Sequence, residues 1–296
     1  MIRQLMGRAS SRYAAIFLIT VLAAGCTATV PVGKYDALAE SSQKILSGTS
    51  ETYTRIEKLQ RRFSVETASG QTLNRDSFKP VIEGQSFDIG PELDFREAAL
   101  QVLVKYSLVL QAFAKRDFEG EVDKASVELA GSLKSLAATA APKGDNVAQA
   151  SGILAAVVDV IGREIVRQKR LEALRMVMDA AQPDLDKLAT LITGSNDKIN
   201  RFTNIMLDRI LAHRSAARPA PNNPMRFEYD MDAALVIAEV DEINAALADL
   251  NAAVTQFPPA HAEVRAQLDK NPQGVQSLQQ LVEEAQRVDK FYRTVK

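Results

Sequence analysis

The chain has 296 residues, of which 46% are hydrophobic and 25% charged, and its formal net charge is −1. This balance disfavours non-specific nucleic-acid binding, for which a clearly basic domain is expected. Tryptophan is absent and aromatic residues make up 6% of the chain, whereas residue types that favour helices are abundant. The composition therefore predicts an all-α protein.

The first 25 residues have the pattern of an export signal. Arg3, Arg8 and Arg12 precede any acidic residue, and an apolar stretch of about 11 residues follows at 14–24. Such a stretch is shorter than the roughly 20 residues that a transmembrane helix needs. A cleaved signal peptide is therefore favoured over a permanent membrane span, with a secretory signal that carries an incidental cysteine as the alternative.

The segment Leu22-Ala23-Ala24-Gly25-Cys26 resembles the lipobox of bacterial lipoproteins. The resemblance implies cleavage between Gly25 and Cys26, lipid on Cys26, and a chain anchored in a membrane by a palmitate-type modification. Thr27 follows, which by resemblance to enterobacterial sorting rules favours the outer membrane, facing the periplasm. Cys26 is the only cysteine, so an intramolecular disulfide is excluded.

These features divide the chain into a signal peptide at 1–25, a lipidated tether at 26–33 and a helical bundle domain at 34–296. Removal of the signal peptide, which holds three arginines and no acid, leaves 33 basic and 37 acidic residues, a net charge of −4. About 270 residues can bury a sizeable core.

The first half of the bundle domain predicts three helices. One runs from Lys34 to about Glu66, and its apolar stripe consists of Leu38, Ile45, Tyr53, Ile56, Leu59 and Phe63. Residues 67–91 predict an ordered cover with a small hairpin at Glu83-Gly84. A second helix begins at Pro91 and is apolar on nearly all sides, which is typical of a central helix. Residues 118–136 carry a coiled-coil-like seam, and 115–120 either break or bend the connection.

The second half predicts a turn at 140–146, a helix to about Ala181 and a turn at Pro183 rather than a kink. A further helix then reaches Arg214 and is followed by an exposed loop near 215–229. Three helices complete the chain, at 230–256, 259–270 and 275–295, separated by prolines. The whole is an elongated antiparallel bundle of about six or seven helices.

Several motifs resemble chemical sites. Ser41-x-x-Lys44 and Ser195-x-x-Lys198 match the spacing in which a lysine activates a serine, but the accompanying Lys-Thr-Gly and Ser-Asp-Asn elements are missing from the sequence. Both pairs are therefore interpreted as solvated helix residues, and no catalytic residue is assigned.

A weak calcium-site lookalike has the carboxylate spacing of an EF-hand loop at Glu228, Asp230, Asp232 and Glu239. The sixth position holds Ala233 where that loop needs a glycine, so acids at a helix start are the favoured interpretation. No metal and no cofactor are expected.

The two histidines, His213 and His261, lack the spacing of a metal site and are interpreted as surface or packing residues. Four basic residues, Arg163, Arg167, Lys169 and Arg170, lie mostly along one predicted helix face. This face is either simply solvated or a contact for an anionic lipid or glycan.

These patterns favour a non-catalytic envelope lipoprotein with a scaffold or protein-docking role, and not an enzyme. The expected partners are the membrane, through the N-terminal lipid, and an envelope protein. The first alternative is a sensory or carrier bundle that holds a small apolar ligand in a pocket near Leu103, Tyr106 and Leu110. The second is an enzyme of unrecognised type.

Overall fold

The computed structural model describes residues 30–68, 78–79, 81–82, 85–86, 88–115, 119–140, 157, 159–161, 170–269 and 275–294. The chain divides into two units, Met1–Pro31 and Val32–Lys296. The predicted signal peptide and Cys26 lie outside the described residues, as do residues 141–146 of the predicted turn at 140–146 and three members of the basic cluster, Arg163, Arg167 and Lys169.

The second unit is an α-helical bundle, which confirms the predicted fold class. Its long helices within the described ranges are α1 (Val32–Ala68), α2 (Gly90–Ala114), α3 (Glu119–Ala140), α4 (Arg170–Ala216), α5 (Arg226–Ala266) and α6 (Gln276–Thr294), and a 3₁₀ turn at Gln267–Asp269 follows α5. Between α1 and α2, β1 (Val81–Ile82) pairs antiparallel with β2 (Gln85–Ser86). This pairing confirms the small hairpin around Glu83-Gly84.

The helices α4 and α5 form one antiparallel pair along most of their length. Thr203 contacts Asn244, Asn196 contacts Asn251, and Asp179 contacts Arg265. The residue numbers of each pair add up to nearly the same value, so the register does not slip between one end of the pair and the other. Amide side chains supply several of these contacts, at Asn196, Asn244 and Asn251.

The prolines do not interrupt these helices, so the predicted turn at Pro183 and the predicted helix boundary at Pro258-Pro259 are wrong. A proline inside a helix costs about 3 kcal/mol. Apolar side chains on both sides of each proline are buried, which stabilises the continuous helix by roughly 1.5–3 kcal/mol for each Val, Leu, Met or Phe. These side chains are Met178, Ala181, Leu185 and Leu188 in α4, and Val254, Phe257, Ala260 and Val264 in α5.

The remaining helices pack around this pair. The helix α1 contacts α2, α4, α5 and α6, and α3 packs against α2. The predicted stripe of α1 is buried throughout, and α2 buries Leu100, Val102 and Val109 as expected of a central helix. Ion pairs Lys105–Glu128 and Lys115–Glu121 join α2 to α3 in an antiparallel hairpin. Two separate helices are therefore present here, rather than one bent helix.

The helix α1 approaches α6 closely at Gly48. A Cβ atom placed there would lie 2.4 Å from the Val288 side chain and 2.9 Å from its backbone oxygen. A glycine is required because any side chain would push the two backbones apart. In contrast, Gly131 in α3 has open space around it.

We expect Gly48→Ala to lower the free energy of unfolding by roughly 1–3 kcal/mol, since the added methyl group overpacks this crossing. The matched control is Gly131→Ala, which should raise stability by roughly 0.5–1 kcal/mol because alanine favours an exposed helix. Urea unfolding followed by circular dichroism measures both values. Equal shifts in the two variants would contradict the close approach of α1 and α6.

Candidate protein-binding surface

The first four turns of α5, from Arg226 to Val240, have four distinct sides, which follow from the helical repeat. Val236 and Val240 are fully buried and point into the core. Asp232 and Glu239 contact α1, while Asp230 contacts Arg218 in the loop that follows α4. The fourth side faces outward, and its composition distinguishes this part of α5 from an ordinary surface helix.

On the α1 side, arginines hold the start of α5 in place. Arg62 Nη2 donates to both carboxylate oxygens of Asp232 at 2.7 Å. Arg214, of which 8% is exposed, contacts the same carboxylate at 2.6 Å through Nη1 and also pairs with Glu66. A hydrogen bond from Arg62 is the main reason that the pKa of Asp232 is lowered, so this carboxylate is ionised at neutral pH. Three helices therefore meet at one charged cluster.

On the α4 side, the loop from 217 to 225 is tied back onto α5. Arg218 Nε donates to Asp230 at 2.8 Å, and the Tyr229 hydroxyl donates to the backbone oxygen of Arg214 at 2.9 Å. The hydrogen bond from Arg218 lowers the pKa of Asp230. An open groove of about 290 Å³ lies beside these contacts, and Leu211, Ala233 and Ile237 form part of its lining. The exposed loop predicted near 215–229 is confirmed, although α5 begins within it, at Arg226.

The outward side of α5 is apolar. Phe227 is 73% exposed, Met231 47% and Leu235 59%, and the exposed Ala234 and Ala238 lie on the same face. We call these five residues the α5 strip. Sequence patterning alone does not identify it, because apolar residues at this spacing ordinarily form the buried side of a helix. The packing of Val236 and Val240 inward is what turns the strip outward.

Three of the four carboxylates of the calcium-site lookalike face arginines. Asp230 and Asp232 are paired with Arg218, Arg62 and Arg214, and Glu239 lies 3.9 Å from Arg62. All four carboxylates of the lookalike lie within the continuous helix α5, so the loop that wraps a calcium ion is lacking there. In the described part of the chain, no three His, Cys, Asp or Glu residues are arranged to hold a metal ion.

In the Ser41–Lys44 pair, the lysine is engaged by a carboxylate rather than by the serine. Lys44 Nζ donates to Glu40 at 2.7 Å. Ser41 is 3% exposed, so its interpretation as a solvated residue is wrong. Lys198 is exposed as expected, and the side chain of Ser195 lies outside what the structure describes.

Arg170 is the described member of the basic cluster. Its Nε donates to the backbone oxygen of Phe113 at 2.8 Å, and its Nη2 donates to that of Ala114. The guanidinium therefore caps the last turn of α2, where a cation complements the helix dipole. The prediction that Arg170 contacts an anionic lipid or glycan is therefore wrong, because its guanidinium binds backbone oxygens of α2.

His261 is a packing residue in the core, as predicted. Its Nε2 lies 2.7 Å from the Tyr106 hydroxyl and its Nδ1 lies 2.7 Å from Gln182 Oε1. The amide oxygen of Gln182 is an acceptor, so Nδ1 carries the proton and Nε2 accepts from Tyr106. Burial lowers the pKa of His261 to about 3. Leu103, Tyr106 and Leu110, at which a ligand pocket was predicted, are at most 3% exposed.

In comparisons with family models, with curated proteins and with solved structures, nothing matches this chain. Within the described residues, every helix is too short or too polar to cross a membrane.

We expect Asp232→Asn to lower the free energy of unfolding by about 1 kcal/mol, because it weakens two charge-assisted contacts and leaves the poorly exposed Arg214 with fewer partners. The matched control is Glu57→Gln, which removes the exposed pair with Arg61 and should change stability by less than about 0.5 kcal/mol. Urea unfolding at low and high salt measures both. A Glu57→Gln effect as large as that of Asp232→Asn would contradict a structural role for this cluster.

The neutral His261 also predicts a pH dependence. Its folded-state pKa of about 3 lies below the usual 6.5, so between these values the unfolded chain binds the proton more strongly. Stability is therefore complete above about pH 7 and falls as the pH decreases, by about 2 kcal/mol at pH 5. Unfolding free energies at pH 5 and pH 7 test this, with His261→Gln as the reference. If the free energy of unfolding changed by the same amount between pH 5 and pH 7 in the native chain and in His261→Gln, this pH dependence would not come from His261.

Proposed function

We propose that this chain is a lipid-anchored protein of the bacterial cell envelope and that its helical bundle binds another protein without catalysis. The anchor rests on the lipobox-like segment that ends at Cys26. The binding role rests on one observation, the exposure of the α5 strip. Large contiguous apolar surfaces on a protein commonly mark interaction sites.

The free energy that would be gained by burying the α5 strip against a partner supports this role. Phe227, Met231 and Leu235 each keep about half or more of their surface in water, and covering each of them would contribute roughly 1–2 kcal/mol. The aromatic ring of Phe227 suits the centre of an interface, where aromatic residues often dominate the binding energy. The strip also lies on a helix that Arg62 and Arg214 hold in place, so little ordering is needed on binding.

The position of the strip fits an anchored protein. Arg62 contacts the start of α5, and about 45 Å of helix separates Arg62 from Val32, where α1 begins, at 1.5 Å for each residue. In a lipid-anchored chain, the tether joins the bundle at Val32. The strip therefore lies near the end of α1 that is remote from the point of attachment, where it is available to a partner away from that point.

The interior of the bundle favours a scaffold over a carrier. The residues proposed to line a ligand pocket, Leu103, Tyr106 and Leu110, are packed among neighbouring helices, and a carrier needs a cavity there. A groove of about 440 Å³ beside Asp36, Gln43 and Leu108 is open to the surface instead.

The anchor predicts that Cys26 carries lipid. Cells that express the full chain should incorporate a clickable palmitate analogue into it, and Cys26→Ala should abolish the label and shift the chain out of the membrane fraction. The matched control is Thr27→Ala, which changes the adjacent residue and should keep the label. Equal labelling of the native chain and Cys26→Ala would refute the anchor.

A further inference from the structure

Exposed carboxylates lie at both ends of the α5 strip. Glu228 is exposed beside Phe227 at the start of the strip, and Asp241 is exposed one turn beyond Ala238 at its end. Glu242 follows, half exposed, with Arg55 3.0 Å away on its inner side. The nearby arginines Arg218 and Arg226 both pair with Asp230. An apolar strip about 16 Å long thus has carboxylates near both ends.

These borders disfavour a second copy of the chain as the occupant. In an antiparallel pairing centred between Ala234 and Leu235, Glu228 of one copy faces Asp241 of the other, because the two lie at equal distances from the centre. In a parallel pairing, each carboxylate faces its own counterpart. Like charges oppose each other in both arrangements, which discriminates against self-association.

The same borders disfavour an anionic lipid surface. Membrane-binding helices of this kind place lysine and arginine on the polar side of an apolar strip, where they contact lipid headgroups. The exposed borders of the α5 strip carry carboxylates instead. The occupant that satisfies both the apolar strip and its borders is a helix with an apolar stripe and basic flanks.

We propose that the α5 strip binds a basic amphipathic helix of a partner protein, with apolar residues one turn apart against Phe227, Met231 and Leu235 and with lysine or arginine near Glu228 and Asp241. This inference rests on the proposed docking role and adds the chemistry of the partner. Apolar contact gives the affinity and the carboxylates give the preference for a basic helix.

Two fluorescein-labelled helical peptides of 18 residues test the proposal. They share one leucine stripe and carry either lysine or glutamate at every polar position. With the full chain in phosphatidylcholine nanodiscs, fluorescence anisotropy should show at least about ten-fold tighter binding of the lysine peptide. Glu228→Lys combined with Asp241→Lys should reverse this preference, whereas equal affinities of the native chain for both peptides would overturn it.

Substitutions in the α5 strip distinguish specific binding from non-specific hydrophobic binding. Phe227→Ser combined with Leu235→Ser should weaken binding of the lysine peptide at least about ten-fold. The matched control is Val127→Ser in α3, since Val127 is 74% exposed and Phe227 is 73% exposed; this variant should bind as the native chain does. Circular dichroism checks that each variant keeps its helices. If Val127→Ser lost as much affinity for the lysine peptide as the strip variant, the α5 strip would not be the binding site.

Three further results would also overturn this inference. They are a dimer in sedimentation equilibrium that Leu235→Ser dissociates, strip-dependent binding to phosphatidylglycerol vesicles, and a chemical cross-link from the strip to residues 69–77 of the same chain.

The outcomes also distinguish a failure of this inference from a failure of the proposed function. Strip-dependent binding of both peptides would remove only the charge preference, whereas binding independent of the strip would remove the docking role as well. Palmitate labelling tests the anchor independently of either result.

Discussion

The antiparallel pairing of α4 with α5 is the constraint on which the rest of the bundle depends. Its contacts keep one register from Thr203–Asn244 to Asp179–Arg265, over more than 20 residues of each helix. Buried polar contacts enforce this register, because a shift by one residue would leave amide groups without partners in the core. The other helices then pack against a pair whose geometry is already set.

The hydrogen-bonded chain around His261 connects that pair to α2. The Tyr106 hydroxyl donates to His261, His261 donates to Gln182, and Gln182 donates to the backbone oxygen of Pro258 at 3.3 Å. Each group needs the next in one orientation, so the chain specifies how three helices meet. Its position beside Pro258 is also where α5 continues without its normal backbone hydrogen bonds.

The same pairing determines which side of α5 meets water. The register with α4 turns Val236 and Val240 into the core, and Arg62 and Arg214 on the neighbouring helices hold Asp232. With three sides occupied, Phe227, Met231 and Leu235 face outward. The binding surface that we propose is therefore a consequence of packing rather than of any local motif.

The helices α1 and α2 were predictable from the sequence, whereas the continuity of α4 and α5 through their prolines was not. Local rules correctly predicted where α1 and α2 lie, because the apolar repeat of each helix covers its whole length. They failed at Pro183 and Pro258-Pro259, since the local cost of a proline is similar in size to the burial of two side chains, and that burial is invisible before the partner helix is known. The ion pairs of Arg62 and Arg214 were missed for a related reason, because their partners lie about 150 to 170 residues away.

The sequence by itself determined the helical class and the stripe of α1, because composition and apolar periodicity are properties of neighbouring residues. Only the tertiary structure decided that α4 and α5 run through their prolines, that the carboxylates of the calcium-site lookalike pair with arginines, and that the α5 strip faces water. Each of these depends on contacts between residues far apart in the chain, and a helix buries whichever side its neighbours cover.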